Sequence, residues 1–160
     1  MFVTKAPLFS AEPVQGGEPV SVADILKRGP AVLAFFKVSC PTCQLAFPFL
    51  ERLHAAAAAG GGEGLQFVGI SQDDAVPTTR FNTQFGVTFP VLLDRASSGY
   101  AASNAYGLTH VPAIFVLEPD GKISHQWTGF SRADFEKLAG RLHTAAFGPA
   151  DSHVPAWKAG

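Results

Sequence analysis

Apolar residues follow two alternating patterns along this chain of 160 residues. In the first pattern, short and nearly continuous apolar runs predict β-strands that are buried on both faces. Four such runs occur, at residues 31–38, 65–71, 90–94 and 113–117. In the second pattern, apolar side chains recur at helical spacing. These segments are 41–59, 74–85 with an interruption at Pro77, and more weakly 98–106. The alternation predicts an α/β fold.

Shorter elements are predicted near both ends of the chain. Gln15-Gly16-Gly17-Glu18 is typical of a turn between two short strands, which predicts an amino-terminal hairpin. Ser21 is placed to cap a helix over 22–27. Pro119-Asp120-Gly121 predicts a second hairpin, between strands at 113–117 and 122–128.

The last part of the chain is predicted to be a helix and a tail. Ser131 is placed to cap a helix over 132–146, whose apolar residues lie on one face. From residue 148 to 160 the chain is rich in Pro and Gly, which predicts a loosely ordered tail onto which Trp157 could dock back. Since no linker separates parts of the chain, we expect a single domain over 1–160 with its core at 7–146.

Composition restricts the class of partner. The chain has 12 Lys and Arg and 13 Asp and Glu, a net charge of −1, which argues against nucleic acids and acidic membranes as partners. No apolar run reaches membrane-spanning length. The first seven residues lack the basic and apolar regions of a secretory signal, so we expect a cytoplasmic location, or a periplasmic one if an export segment precedes them. We also expect a monomer.

Cys40 and Cys43 are the only cysteines in the chain, and they lie where the first buried strand gives way to a helical pattern. A zinc site is disfavoured because there is no second Cys pair and no closely spaced pair of histidines. What remains is a two-thiol redox couple, or else two structural cysteines.

The helix start suggests how the two thiols divide the chemistry. Cys40 precedes Pro41, which suits the first helical position, so its sulfur lies near unpaired N–H groups that stabilise a thiolate. Cys43 is one helical turn further on and on the same face, where it could attack a mixed disulfide formed at Cys40. We therefore predict Cys40 as the nucleophile and Cys43 as the resolving thiol, with Ser39, Pro41 and Thr42 forming the active-site turn.

Four motifs follow one another in a characteristic order. They are Cys40-Pro41-Thr42-Cys43, then Pro48, then the segment from Tyr106 to Phe115 that contains Val111-Pro112, and last Asp120-Gly121-Lys122-Ile123 with Gly129-Phe130. In this order they resemble the thioredoxin fold, and within it the TlpA/ResA-like and AhpC/TSA-like redoxins. The resemblance covers residues 7–143. The amino-terminal hairpin and a strand–helix insert over 65–94 distinguish the chain from minimal thioredoxins.

The resemblance implies a thioredoxin-like α/β fold with a central mixed sheet flanked by helices. It assigns the role of the family's cis-proline to Pro112, so that Val111 and Pro112 pack beside the active-site disulfide and offer backbone groups to a bound peptide strand. The implied activity is thiol–disulfide exchange with protein thiols or disulfides, supported by a recycling thiol reductant or oxidant. No cofactor other than the Cys40–Cys43 disulfide, and no metal, is expected.

The chain departs from the family pattern at two positions. Ser39 stands where the family often has Trp, and Ala34 stands where thioredoxins carry a buried acid that helps to deprotonate the second thiol. Lys37 and His110 are candidates for tuning the pKa of the active-site thiol, although ordinary exposed side chains would explain both.

Three alternative functions remain at this point. Peroxiredoxins share the fold but carry a Pro-x-x-x-Thr-x-x-Cys signature, which neither Cys40 nor Cys43 completes. Copper-delivery proteins of related fold usually space their cysteines by three residues and add a histidine. A purely structural or interaction module would leave Cys40 no more reactive than a free thiol. The residues between the cysteines do not indicate the direction of exchange.

Overall fold

A computed structural model describes residues 4–160, and Met1-Phe2-Val3, part of the segment considered for a secretory signal, lie outside the described residues. Seven strands form one sheet in the order β2-β1-β5-β4-β3-β6-β7. The strands are β1 (Ser10–Pro13), β2 (Val20–Ser21), β3 (Ala31–Phe36), β4 (Gln66–Ser71), β5 (Val91–Leu93), β6 (Ala113–Leu117) and β7 (Ile123–Thr128). β3, β4 and β5 run parallel, whereas β1, β6 and β7 pair antiparallel with their neighbours. The predicted mixed sheet and amino-terminal hairpin are confirmed.

The helices flank this sheet. They are α1 (Val22–Arg28), α2 (Pro41–Ala58), α3 (Ala75–Phe85), α4 (Ala101–Ala105) and α5 (Arg132–Arg141). Both predicted serine caps are present: Ser21 Oγ accepts from the Asp24 N–H at 3.0 Å, and Ser131 Oγ accepts from the Asp134 N–H at 3.1 Å. Over residues 4–160, no helix combines the length and the apolar character needed to cross a membrane.

The core lies on both faces of β3. Val32, Ala34 and Phe36 point into one apolar cluster together with α2 and α5, and Ala31, Leu33 and Phe35 point into the other. All six side chains of β3 are at most 2% exposed. Successive strand residues face opposite sides, so a strand covered on both faces is apolar throughout. This packing fixes the carboxyl end of β3, where the cysteines follow.

Several element boundaries differ from the prediction for backbone reasons. α4 begins only at Ala101, because Gly99 and Tyr100 adopt left-handed conformations with φ of 69° and 52°. α5 ends at Arg141 rather than 146, and His143 just beyond it has φ of 55°. α3 is not interrupted at Pro77, which lies in the first turn, where a missing N–H leaves no intrahelical bond unmade.

The tail from 148 to 160 packs against the rest of the domain. The Arg132 guanidinium donates to the backbone carbonyls of Asp151 and Val154 at 3.0 and 3.2 Å, and the Val154 side chain is 7% exposed. Further on, β9 (Trp157–Lys158) pairs antiparallel with β8 (Phe130–Ser131). Trp157 docks through its backbone, since its side chain is 64% exposed. The sequence did not predict these contacts, because they come from residues distant in sequence, and the loose order of the tail stays a prediction.

Asp94 ties α4 to the end of β5. Its buried carboxylate accepts from the Ala102 N–H at 3.1 Å, and from the N–H and hydroxyl of Ser103 at 2.8 and 2.5 Å. We expect Asp94→Ala to lower the free energy of unfolding by about 2 to 3 kcal/mol, because these donors lose their acceptor inside the protein. Urea unfolding measures this. Asp74→Ala is the control, since the Asp74 side chain is 80% exposed and makes no cap bond. Equal losses in both variants would contradict the assigned role of Asp94.

Candidate active site

Cys40 is the N-cap residue of α2. Its backbone is extended, with φ of −82° and ψ of 114°, and its Sγ accepts a hydrogen bond from the Cys43 N–H at 3.1 Å. The sulfur thus takes the place that a serine or aspartate oxygen usually holds at a helix start. The unpaired N–H groups of the helix start and the positive end of the helix dipole lie at this sulfur. Pro41 is the first helical residue, as predicted.

Cys43 lies one turn inside α2 and is completely buried, whereas Cys40 is only half-buried. Burial raises the pKa of the Cys43 thiol far above its ordinary value, and a hydrogen bond with Cys40 acts in the same direction. A hydrogen bond with the Lys37 backbone has the opposite, smaller effect on that pKa. At neutral pH Cys43 is therefore a protonated thiol held behind a more accessible sulfur.

The loop before β6 faces Cys40 across the active-site turn. The Val111–Pro112 peptide bond is cis, the conformation that the resemblance implied. The Cys40 thiol lies 3.5 Å from the Val111 carbonyl oxygen, towards which it is directed as a donor. The Pro112 carbonyl accepts from the Gly129 N–H at 2.8 Å, which connects this loop to the end of β7. The antiparallel pairing of β6 with β3 places Val111 beside the cysteines, 71 positions away in sequence.

Two side chains that the sequence analysis did not single out hold the turn between β3 and α2. Asp73 Oδ2 accepts from the Val38 N–H at 2.8 Å, and Gln44 Nε2 donates to the Val38 carbonyl at 2.9 Å. Asp73 follows β4, whose carboxyl end lies beside that of β3 because the two strands run parallel. The position of Asp73, a polar residue just after the neighbouring parallel strand, could therefore have predicted that it lies at the site.

The candidates for tuning the thiol lie at the rim of an open cavity. Lys37 and His110 are both exposed, and they border a cavity of about 530 Å³ that also contacts Ser39 and Cys40. The His110 imidazole is 3.0 Å from the Thr109 hydroxyl. The structure therefore places both side chains near the site at its solvent-exposed rim, and their effect on the thiol stays a prediction.

Thr42, the remaining residue of the active-site turn, is buried. Its hydroxyl donates to the carbonyl of Ala159 at 2.6 Å, a contact that the sequence did not suggest. Among residues 4–160, no group of three or more His, Cys, Asp or Glu side chains is arranged to hold a metal ion.

The fold and this site together define the class of protein. The two thiols lie at the start of α2, directly after the central strand β3 of a mixed sheet, and the proline loop that leads into β6 lies opposite them. This is the arrangement of a thioredoxin-fold redoxin with a Cys-x-x-Cys site. The chain belongs to the AhpC/TSA family, whose sequence profile matches residues 3–126.

Three relatives illustrate the similarity. The thiol-disulfide oxidoreductase ResA of Bacillus thuringiensis is 25% identical over 126 residues, which cover 78% of this chain and 68% of ResA. A Mycobacterium tuberculosis protein whose name assigns it provisionally to the peroxiredoxins is 35% identical over 131 residues, covering 74% of this chain and 79% of the relative. The crystal structure of a thioredoxin-family thiol:disulfide interchange protein from Chlorobium tepidum superposes with a TM-score of 0.69 at 28% identity, covering 87% of this chain and 95% of that one.

These similarities agree with the chemistry of the two thiols. The predicted thioredoxin-like fold and the assignment to the TlpA/ResA-like redoxins are confirmed. The protein is a thiol–disulfide oxidoreductase, as the sequence predicted.

Proposed function

We propose that the protein exchanges its Cys40–Cys43 dithiol with disulfides of other proteins, through a mixed disulfide on Cys40 that Cys43 resolves. One observation carries this proposal: the two sulfurs lie one helical turn apart with unequal burial. Cys40 is half-buried at the helix start, and Cys43 is 0% exposed directly behind it. A protein disulfide can therefore reach Cys40 first. In the mixed disulfide that results, Cys43 attacks the Cys40 sulfur.

The exchange proceeds in two balanced steps. The Cys40 thiolate attacks one sulfur of the substrate disulfide, forms a mixed disulfide with it, and releases the other substrate sulfur as a thiolate. Cys43 then loses its proton and attacks the Cys40 sulfur, which forms the Cys40–Cys43 disulfide and releases the second substrate sulfur. Two electrons pass from the protein to the substrate. The reverse sequence oxidises a substrate dithiol, and a recycling thiol or disulfide partner restores the starting form.

The Val111 backbone is suited to position the substrate. Its carbonyl oxygen is 3.5 Å from the Cys40 sulfur, at the start of a loop that is fixed to Gly129 by a backbone hydrogen bond. An extended polypeptide that pairs with this backbone would place its own sulfur against Cys40, since main-chain pairing supplies affinity without requiring a particular side chain. This favours protein substrates over small disulfides.

The proposal is tested by comparing two oxidants on the reduced protein. We expect insulin disulfides to be reduced with loss of both protein thiols, and hydrogen peroxide to react no faster than it does with the thiolate of a free cysteine. Free-thiol counts and mass spectrometry follow the protein, and high-performance chromatography follows the insulin chains. Failure to reduce insulin while small disulfides react would overturn the assignment of protein substrates.

A second candidate function is supported by the relative named as a peroxiredoxin, at 35% identity. In that case Cys40 would attack hydrogen peroxide to give a sulfenic acid and water, and Cys43 would close the disulfide with loss of a second water. Rapid peroxide consumption that disappears in Cys40→Ser would favour this function over disulfide exchange.

A further inference from the structure

The last four residues of the described chain lie across the active-site face. β9 brings residues 157 and 158 alongside β8, the Ala159 carbonyl accepts the Thr42 hydroxyl hydrogen at 2.6 Å, and Gly160 follows. Gly160 packs so closely on the proline loop that an added Cβ would collide with the Val111 carbonyl oxygen and lie 2.8 Å from its carbon. The tail thus contacts both the active-site turn and the loop that faces it.

Gly129 makes this close approach possible. It has a φ of 80°, and a Cβ on it would lie only 2.6 Å from the Lys158 carbonyl oxygen. Its N–H bonds to the Pro112 carbonyl at 2.8 Å, so the same residue supports the proline loop on one side and the tail on the other. We call the surface formed by Thr42, Val111 and Gly129 the docking edge.

We propose that residues 157–160 are an internal occupant of the docking edge, which a polypeptide substrate must displace before it reaches Cys40. This inference rests on the proposed function, in which an extended substrate pairs with the Val111 backbone. Gly160 already packs against the Val111 carbonyl, and residues 157–159 reach it along β8 and Thr42 through backbone hydrogen bonds. The tail and the substrate therefore compete for the space beside the Val111 carbonyl.

The attachment of the tail suits a segment that is released and rebound. Upstream, Val154 is buried and Arg132 binds the carbonyls of Asp151 and Val154, so the tail stays anchored near the site. Beyond this anchor, residues 157–160 are all exposed, and a two-residue strand and the Thr42 hydrogen bond hold them. Such a segment opens locally without unfolding the domain. The anchor gives it a high effective concentration at the docking edge, which raises the barrier for an external peptide.

Small reagents are expected to reach the sulfur through the cavity of about 530 Å³ beside Cys40. The exposed residues Lys37 and His110 line this cavity, and Gly160 also borders it. The docked tail is therefore expected to slow polypeptide substrates selectively and to leave small thiol reagents unaffected.

The test compares two probes on three chains: the chain of residues 1–160, a variant that ends at Ala156, and Lys158→Ala. The probes are a disulfide-bonded peptide, which needs the docking edge, and iodoacetamide, which needs only Cys40. We expect truncation to raise the rate constant for the peptide at least about tenfold and to leave that for iodoacetamide unchanged. Lys158→Ala is the matched control, because its exposed side chain is removed while the backbone pairing of β9 is kept, and both of its rates should equal those of the full chain.

Gly160→Ala tests the same point without shortening the chain. Its methyl group would collide with the Val111 carbonyl, so the tail should leave the docking edge and the rate constant for the peptide should rise. This variant therefore tests the inference even in the case that the truncated chain does not fold. Equal peptide rates in all chains would overturn the inference, as would equal acceleration with both probes, which indicates general shielding of the thiol. If no chain reacts with the peptide while all react with iodoacetamide, the proposed function itself fails.

Discussion

Cys43→Ser is expected to leave the protein covalently attached to its disulfide substrates, whereas Cys40→Ser should attach to none. In Cys43→Ser the accessible Cys40 sulfur still attacks a substrate, but no second thiol is present to release it. In Cys40→Ser the remaining sulfur is 0% exposed and lies behind the helix start, so a protein disulfide cannot reach it. Turnover should fall to the uncatalysed background in both variants, for opposite reasons.

Intact mass measurement and non-reducing electrophoresis distinguish these outcomes. After incubation with insulin, Cys43→Ser should gain the mass of a whole insulin molecule, because cleavage of one disulfide leaves the two insulin chains joined by another, and dithiothreitol should remove this mass. The double variant Cys40→Ser/Cys43→Ser controls for adducts that do not involve these thiols, since they are the only cysteines in the chain. A stable adduct on Cys40→Ser would show that the nucleophile and the resolving thiol are assigned the wrong way round.

The second large effect is expected in the pH dependence of the resolving step. Burial raises the pKa of the Cys43 thiol far above its ordinary value, so at any pH below that pKa its thiolate is a minor species. The thiolate fraction, and with it the rate of attack on the mixed disulfide, then increases about tenfold for each pH unit. Between pH 6 and pH 9 the resolving step should accelerate about a thousandfold, provided that the raised pKa persists in the mixed disulfide.

Ellman's reagent separates the two steps in a stopped-flow experiment. The first thionitrobenzoate is released when Cys40 attacks the reagent, and the second when Cys43 displaces the group bound to Cys40. Cys43→Ser should show only the first release, which identifies the phases. If the second phase stops rising with pH below pH 8, Cys43 titrates like an ordinary thiol, and burial does not control the resolving step.

Ala34 gives this pH dependence its particular form. The resemblance places a buried acid at this position in thioredoxins, but here a 2% exposed methyl group occupies it within β3. No carboxylate from this position can accept the Cys43 proton, so another base or water must accept it. The steep, uninterrupted rise of the resolving rate with pH that we expect depends on the absence of an acid at position 34.

The proline loop was accessible from sequence only through resemblance. Local pattern identified a strand from Ala113 onwards, but it could not show that this strand pairs with β3 and so places Val111 3.5 Å from the Cys40 sulfur. The hairpin turn at 119–121 could be predicted from sequence, because glycine, proline and aspartate have strong local turn preferences. Packing over the whole sheet determines which strand pairs with which, so the residues of one strand do not predict its partner.

Helix lengths show a similar division. The starts of α1 and α5 were predicted from Ser21 and Ser131, since a side-chain cap acts on N–H groups only three residues away. The late start of α4 and the early end of α5 were missed. Tyr100 and His143 adopt positive φ there, a conformation more typical of glycine, and the surrounding structure imposes it.

What the sequence by itself determined is the chemistry within one turn of helix: a buried strand, a thiol at a helix start and a second thiol behind it. These features depend on residues three or four positions apart, whose geometry follows from local backbone rules. Only the tertiary structure decided what surrounds the thiols: Asp73 on the Val38 N–H, the Val111 carbonyl opposite Cys40, and the tail on Thr42. Those partners lie 35, 71 and 117 positions apart, and their pairing depends on how all the strands and helices pack together.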